Sequence, residues 1–145
     1  SALAFGRRKG KALIGVEVSE TPNTSNGVNS KASKAFEFCK SKLGTPYLWG
    51  GTTDNGYDCS GLMMKAYASV GISIPRTSKQ QSTFGKPVSK SNLQVGDLVF
   101  FGNPVHHVGM YCGNGQYIHS PKTGDVVKIS SLSGRKDYTC ARRVV

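Results

Sequence analysis

What the sequence is short of narrows the field first. No apolar run approaches the roughly 20 residues of a membrane-crossing helix. ALIGV at residues 12–16, behind the basic RRKGK, is too short for a complete secretion signal. No CxxC pair occurs among the four cysteines, at 39, 59, 112 and 140. Their spacing with the histidines fits no standard zinc ligand set, so no metal is expected. An even cysteine count permits disulfides without specifying any. Acidic residues are scarce, 8 against 19 Lys and Arg, and the formal net charge is +11. Such a surface favours polyanionic partners. Zinc fingers, RNA-recognition signatures and base-reading basic helices are all missing, so specific nucleic-acid recognition is not expected. There is no internal repeat and no low-complexity tract.

What is present suits one compact domain: 145 residues, 37% of them hydrophobic, with 18 glycines to serve turns and close approaches. Residues 1–30 end in the polar, turn-rich SETPNTSNGVNS and read as an arm or linker, with a short strand near Ala12–Val18. The domain proper is expected over 31–145. Ala32, Ala35, Phe36, Cys39 and Leu43 recur at helical spacing, with Ser30 as a cap and Gly44 as a stop. A second helix is expected over 59–70, with Asp58 as N-cap, Leu62, Met63, Ala66, Tyr67 and Val70 as its apolar stripe, and Gly71 at its end. Beyond Pro75 the chain turns to short segments rich in β-branched and aromatic residues: 97–101, 107–112, 116–120, 126–129 and 138–145. Gly113-Asn114-Gly115 is a hairpin signal between two of them. Helices followed by a run of strands give an α+β domain with a mostly antiparallel sheet.

The chemistry centres on TPYLWGGTTDNGYDCSG, residues 45–61. Cys59 stands where a loop ends and a helix begins. Free backbone N–H groups and the positive helix end there stabilise a thiolate, and the same amides could receive an oxyanion. A small hydrophobe opening a helix is the plainer alternative. The three histidines, at 106, 107 and 119, all lie in the β half. Counting inward from the hairpin turn, Tyr111 faces Gln116 or a near register partner, which brings His107 close to His119. A nucleophile, a base and a group that orients the base make an acyl-transfer site. His106 and His107 point to opposite faces of a strand, so only one can face Cys59.

These blocks, with IPRTSKQQ, LQVGDLVFF, HVGMYCGNGQYIHSP and VVKI, resemble the NlpC/P60 family of bacterial cell-wall cysteine peptidases over roughly residues 31–145. The resemblance implies a papain-like fold whose nucleophile helix packs on the histidine-bearing sheet. It implies a cysteine endopeptidase hydrolysing the D-γ-glutamyl–diamino acid bond of peptidoglycan stem peptides through a thioester, without metal or cofactor. Cys59 would be the nucleophile, His107 the base, His119 its orienting group and Tyr47 a contributor to the oxyanion site. Asp58, Ser60, Arg76 and Trp49 would contact substrate, Asp58 and Ser60 at its amino end. For Arg76 a structural role, for Trp49 simple packing, and for Asp97 a turn role are the alternatives. The implied setting is secreted or cell-surface, for a monomer that also meets anionic wall polymers. An amidase or acyltransferase on the same Cys-His site, or a non-catalytic module binding wall polymer or nucleic acid, are the competing readings.

Overall fold

The computed structural model describes residues 26–145; the strand expected near Ala12–Val18 lies outside them. Helix α1 spans Asn26–Ser41. It is already under way before Ser30, so Ser30 is not its cap; a helix once nucleated extends at little cost. Ala35 and Cys39 are fully buried along its inner face. Leu43 is not on that face: the helix has ended at Ser41 and Leu43 is 44% exposed in the following turn.

Two very short strands, β1 (Thr52–Thr53) and β2 (Gly56–Tyr57), pair as a hairpin just before helix α2, Cys59–Ala68. The α2 stripe Leu62, Met63, Ala66 and Tyr67 is fully buried. Gly71 ends the turn beyond α2 with a φ of +83°, a conformation that suits glycine. A single helical turn, α3 (Ser78–Gln81), follows, started by a reciprocal Thr77–Gln80 capping box.

The sheet has six strands: β3 (Lys86–Pro87), β4 (Leu98–Phe101), β5 (His107–Gly113), β6 (Gln116–His119), β7 (Lys128–Ser131) and β8 (Tyr138–Arg143). Their order is β3-β8-β4-β5-β6-β7, antiparallel throughout. Alternation in β4 serves two cores. Leu98 and Phe100 join Ala35, Leu62, Met63, Tyr67, Val108 and Met110 on the helix side. Val99 and Phe101 join Tyr117, Leu132 and Ala141 on the other. β4 is therefore buried on both faces.

Strand β7 lies further along the chain than the apolar run at 126–129 suggests. Val126 instead bridges to Pro46, and Val127 exchanges backbone hydrogen bonds with Gly44 and Thr45. These two valines anchor the loop that carries Tyr47 and Trp49. Asp97 is a structural residue: 2% exposed, it accepts from the Gln94 N–H at 2.8 Å and from two nitrogens of Arg143 at 2.9 and 2.8 Å. All four cysteines are free thiols.

Candidate active site

Asp58 starts helix α2. Its extended backbone and its carboxylate, which accepts the Gly61 N–H at 2.6 Å, make it the N-cap. Cys59 is therefore the first helical residue. Gly61 has to be glycine, because a Cβ there would run into the carbonyl oxygen of Gly51. The hairpin loop is thus pressed against the first turn of α2.

The Cys59 thiol is pushed up from its ordinary pKa by burial. The backbone N–H groups of Val108, Ser60 and Cys59 itself approach the sulfur and offset part of that effect. Burial therefore works against the thiolate that the helix end favours. Removing the sulfur from water costs the anion more than one helix terminus, worth about 1 kcal/mol, returns. Contact with the Val108 amide sets the sulfur beside strand β5, at the residue that follows His107 in the chain.

His107 opens β5 and is 5% exposed. His106, just before it, holds its ring out in solvent, 3.6 Å from the Asp137 carboxylate. His107 Nε2 lies 2.8 Å from His119 Nδ1. Gly109 permits this approach: a Cβ there would meet Tyr117 Cδ2 at 2.6 Å and the His119 Cβ at 3.2 Å. The register pairs Met110 with Ile118, Tyr111 with Tyr117 and, past a bulge, Gly113 with Gln116. His119 Nε2 in turn lies 2.9 Å from the Ser130 hydroxyl on β7. Ser130 pairs with Tyr117, two residues from His119 and so on the same face of β6. Nothing in the serine itself marks it; that placement is its only signal.

This chain of contacts has one tautomer in which His107 can act as a base at Nδ1. His107 Nε2–H must donate to His119 Nδ1, and His119 Nε2–H must donate to Ser130 Oγ. Both imidazoles are neutral at neutral pH. Burial, with the Arg135 guanidinium adding to it, lowers His107 to about 4. Burial and the His107 neighbour lower His119 to about 3. Arg135 is held over the Phe101 ring at 4.2 Å and by Asp137 at 2.9 Å. A cavity of about 400 Å3 opens against both histidines, with Tyr117, Lys122, Lys128 and Ser130 on its wall. No hydrogen bond joins Cys59 to His107 in this resting arrangement, and resting geometry in such sites is often loose.

Tyr47 is partly buried, and burial raises its phenol, with Cys59 and Asp58 close enough to add to the effect. Arg76 grips Asp58 with two nitrogens, at 3.2 and 2.8 Å, and donates to the Ser60 hydroxyl at 2.9 Å. It thus fixes the residues on either side of Cys59. Gln81, fully buried, ties the same region together by donating to the carbonyls of Ser60 and Pro75 at 3.1 and 2.8 Å. Trp49 packs on little: it is 84% exposed. Among the described residues no group of three or more His, Cys, Asp or Glu is placed to hold a metal ion.

The NlpC/P60 family model matches residues 44–143, which contain all of these groups. The chain belongs to the NlpC/P60 family. It is 52% identical over 113 residues to a probable endopeptidase of Corynebacterium glutamicum, covering 78% of this chain and 54% of that one. It is 47% identical over 109 residues to a gamma-D-glutamyl-L-lysine dipeptidyl-peptidase of Bacillus cereus, covering 70% of this chain and 33% of the relative. The chain thus spans a third to about half of these relatives' length. The crystal structure of an NlpC/P60 family protein from Bacillus cereus superposes with a TM-score of 0.75 at 44% identity, covering 78% of this chain and 40% of that one. The fold is accordingly the papain-like α+β arrangement of the family.

Proposed function

We propose that this chain is a cysteine endopeptidase that hydrolyses the D-γ-glutamyl–diamino acid bond of peptidoglycan stem peptides. Two observations support this reading: a helix-start thiol against the Val108 amide, and a hydrogen-bonded His107–His119–Ser130 chain that begins one residue before Val108. That the Bacillus cereus relative is a gamma-D-glutamyl-L-lysine dipeptidyl-peptidase supports the choice of bond.

In this mechanism the resting pair is a neutral thiol and a neutral imidazole. The Cys59 proton moves to His107 Nδ1 as sulfur attacks the amide carbon. The negative charge that develops on the carbonyl oxygen is received by the Cys59 N–H and the Tyr47 hydroxyl. The imidazolium so formed is held by His119, whose bare Nδ1 accepts the Nε2–H of His107. His107 then passes the proton to the departing amine nitrogen, the C–N bond breaks, and a thioester remains on Cys59. Water, deprotonated by His107, attacks the thioester. The acid is released and the thiol regains its proton.

Arg76, Asp58 and Ser60 form the polar wall on the acyl side of the nucleophile. Residues 31–145 are the proposed catalytic domain, acting outside the cytoplasm, where its substrate lies. The charge of +11 suits attraction to anionic wall polymers. The test is incubation of defined muropeptides with the chain and with Cys59→Ala, products being read by mass spectrometry. Cysteine-dependent cleavage after D-γ-glutamate is expected. Equal cleavage by both proteins would overturn the reading.

A further inference from the structure

Trp49 is more exposed than any other large apolar side chain among the described residues, at 84% against 48% for Leu48 beside it. The backbone that presents it is nevertheless fixed. The Tyr47 N–H donates to the Asp125 carbonyl at 2.9 Å, and the Leu48 N–H to the Tyr57 carbonyl at 3.2 Å. The Gly50 N–H donates to Asp58 Oδ2 at 3.1 Å, and the Gly51 N–H to the Leu48 carbonyl at 2.8 Å. Holding an indole in water forgoes the free energy of burying it. A loop pinned on both sides of an exposed ring is already ordered for a ligand that covers the ring.

Asp58 supplies the second observation. Oδ1 accepts from Gly61 N–H and Arg76, and Oδ2 accepts from Gly50 N–H and Arg76. Its hydrogen-bonding capacity is filled and the guanidinium cancels its charge. A free ammonium at the amino end of a stem peptide would find no uncompensated negative charge here. An amide-linked end, which carries no charge, loses nothing.

Direction is the third. His107 delivers a proton to the departing amine, so the leaving half of the substrate lies on the histidine side of Cys59. The acyl half then lies on the side of Asp58, Arg76 and the loop bearing Trp49. In a stem peptide that half runs back from D-glutamate through L-alanine to the sugar. The face of a pyranose ring that carries its C–H groups is apolar and stacks on an indole while the hydroxyls stay in water.

We propose that Trp49 is a stacking platform for the sugar to which the stem is attached, so that the chain takes stems still joined to their glycan in preference to released peptides. This rests on the endopeptidase reading for its direction along the substrate.

Trp49 is the chain's one tryptophan, so its fluorescence reports directly on the platform. The full chain carrying Cys59→Ala is titrated with an N-acetylglucosaminyl-N-acetylmuramyl tetrapeptide and with the same tetrapeptide lacking sugar. Affinities are confirmed by calorimetry, also with Trp49→Ala and Trp49→Phe added. The disaccharide ligand is expected to shift the emission and to bind at least about tenfold more tightly than the free peptide. Trp49→Ala should erase that preference and Trp49→Phe should keep most of it. Equal affinities for the two ligands, or a preference that survives Trp49→Ala, overturn the proposal. Hydrolysis by the active chain is read separately. A sugar preference without cleavage sinks the endopeptidase reading alone. Cleavage without a sugar preference sinks the platform alone.

Discussion

Substituting Ser130 by alanine tests whether the histidine chain acts as a unit. The hydroxyl accepts from His119 Nε2 at 2.9 Å, and His119 is 3% exposed. Without it, one buried N–H loses its protein partner, a loss of about 1–3 kcal/mol. The cavity of about 400 Å3 beside it admits water, which places the effect toward the lower end. A cost of about 1–2 kcal/mol in the transition state is roughly a 5- to 30-fold loss in kcat. The loss should fall on kcat rather than KM, because Ser130 lies behind His119 and sets the proton on His107 without touching substrate. Ser130→Thr should restore most of the rate. Ser130→Asp should move the acid limb of the pH–rate profile to higher pH, since a carboxylate at that point favours imidazolium. The assay is steady-state cleavage of a muropeptide across pH. A Ser130→Ala rate within about twofold of the parent, with an unchanged profile for Ser130→Asp, would refute the reasoning.

Three further outcomes are expected. Both buried histidines bind protons less readily in the fold than in the unfolded chain, near 4 and 3 against 6.5. The unfolded state therefore takes up more protons as pH falls below 6.5, and stability present above that value is lost as pH falls through about 4 and 3. The urea midpoint should fall across this window, less so in His119→Asn, and a flat midpoint would contradict the burial of the pair. Gly61→Ala should cost about 1–3 kcal/mol and depress activity, because the new Cβ pushes the Gly51 carbonyl and the Trp49 loop away from α2; parental urea stability would contradict this. Arg143→Ala leaves the 2%-exposed Asp97 carboxylate without its cation and should destabilise the fold by about 3 kcal/mol, read by urea unfolding.

Helix α2 was legible from its apolar period and capping acid, and strands β4, β5, β6 and β8 from runs of β-branched and aromatic residues bounded by turn signals. The approach of His107 to His119 followed from strand alternation and one turn. The β1–β2 hairpin escaped notice because two-residue strands have no period to read. β3 is equally short and contains Pro87, an edge-strand residue. Val126 and Val127 read as strand but pair with residues 44–46, a contact between segments far apart in sequence. Arg76 was visible as a candidate, but its bidentate grip on Asp58 depends on where the segment after Pro75 returns to α2. For Cys59 the helix position is local and readable, whereas the burial that raises its thiol is set by the whole fold.

The central claim is that Cys59 alone carries the acyl group. Alkylating the native chain in steps with iodoacetamide, mapping the modified cysteine by mass spectrometry and assaying muropeptide cleavage on the same samples tests it most directly. Activity should fall in proportion to modification of Cys59, with Cys39, fully buried, still unmodified. Undiminished cleavage by protein whose Cys59 is fully alkylated would contradict the account.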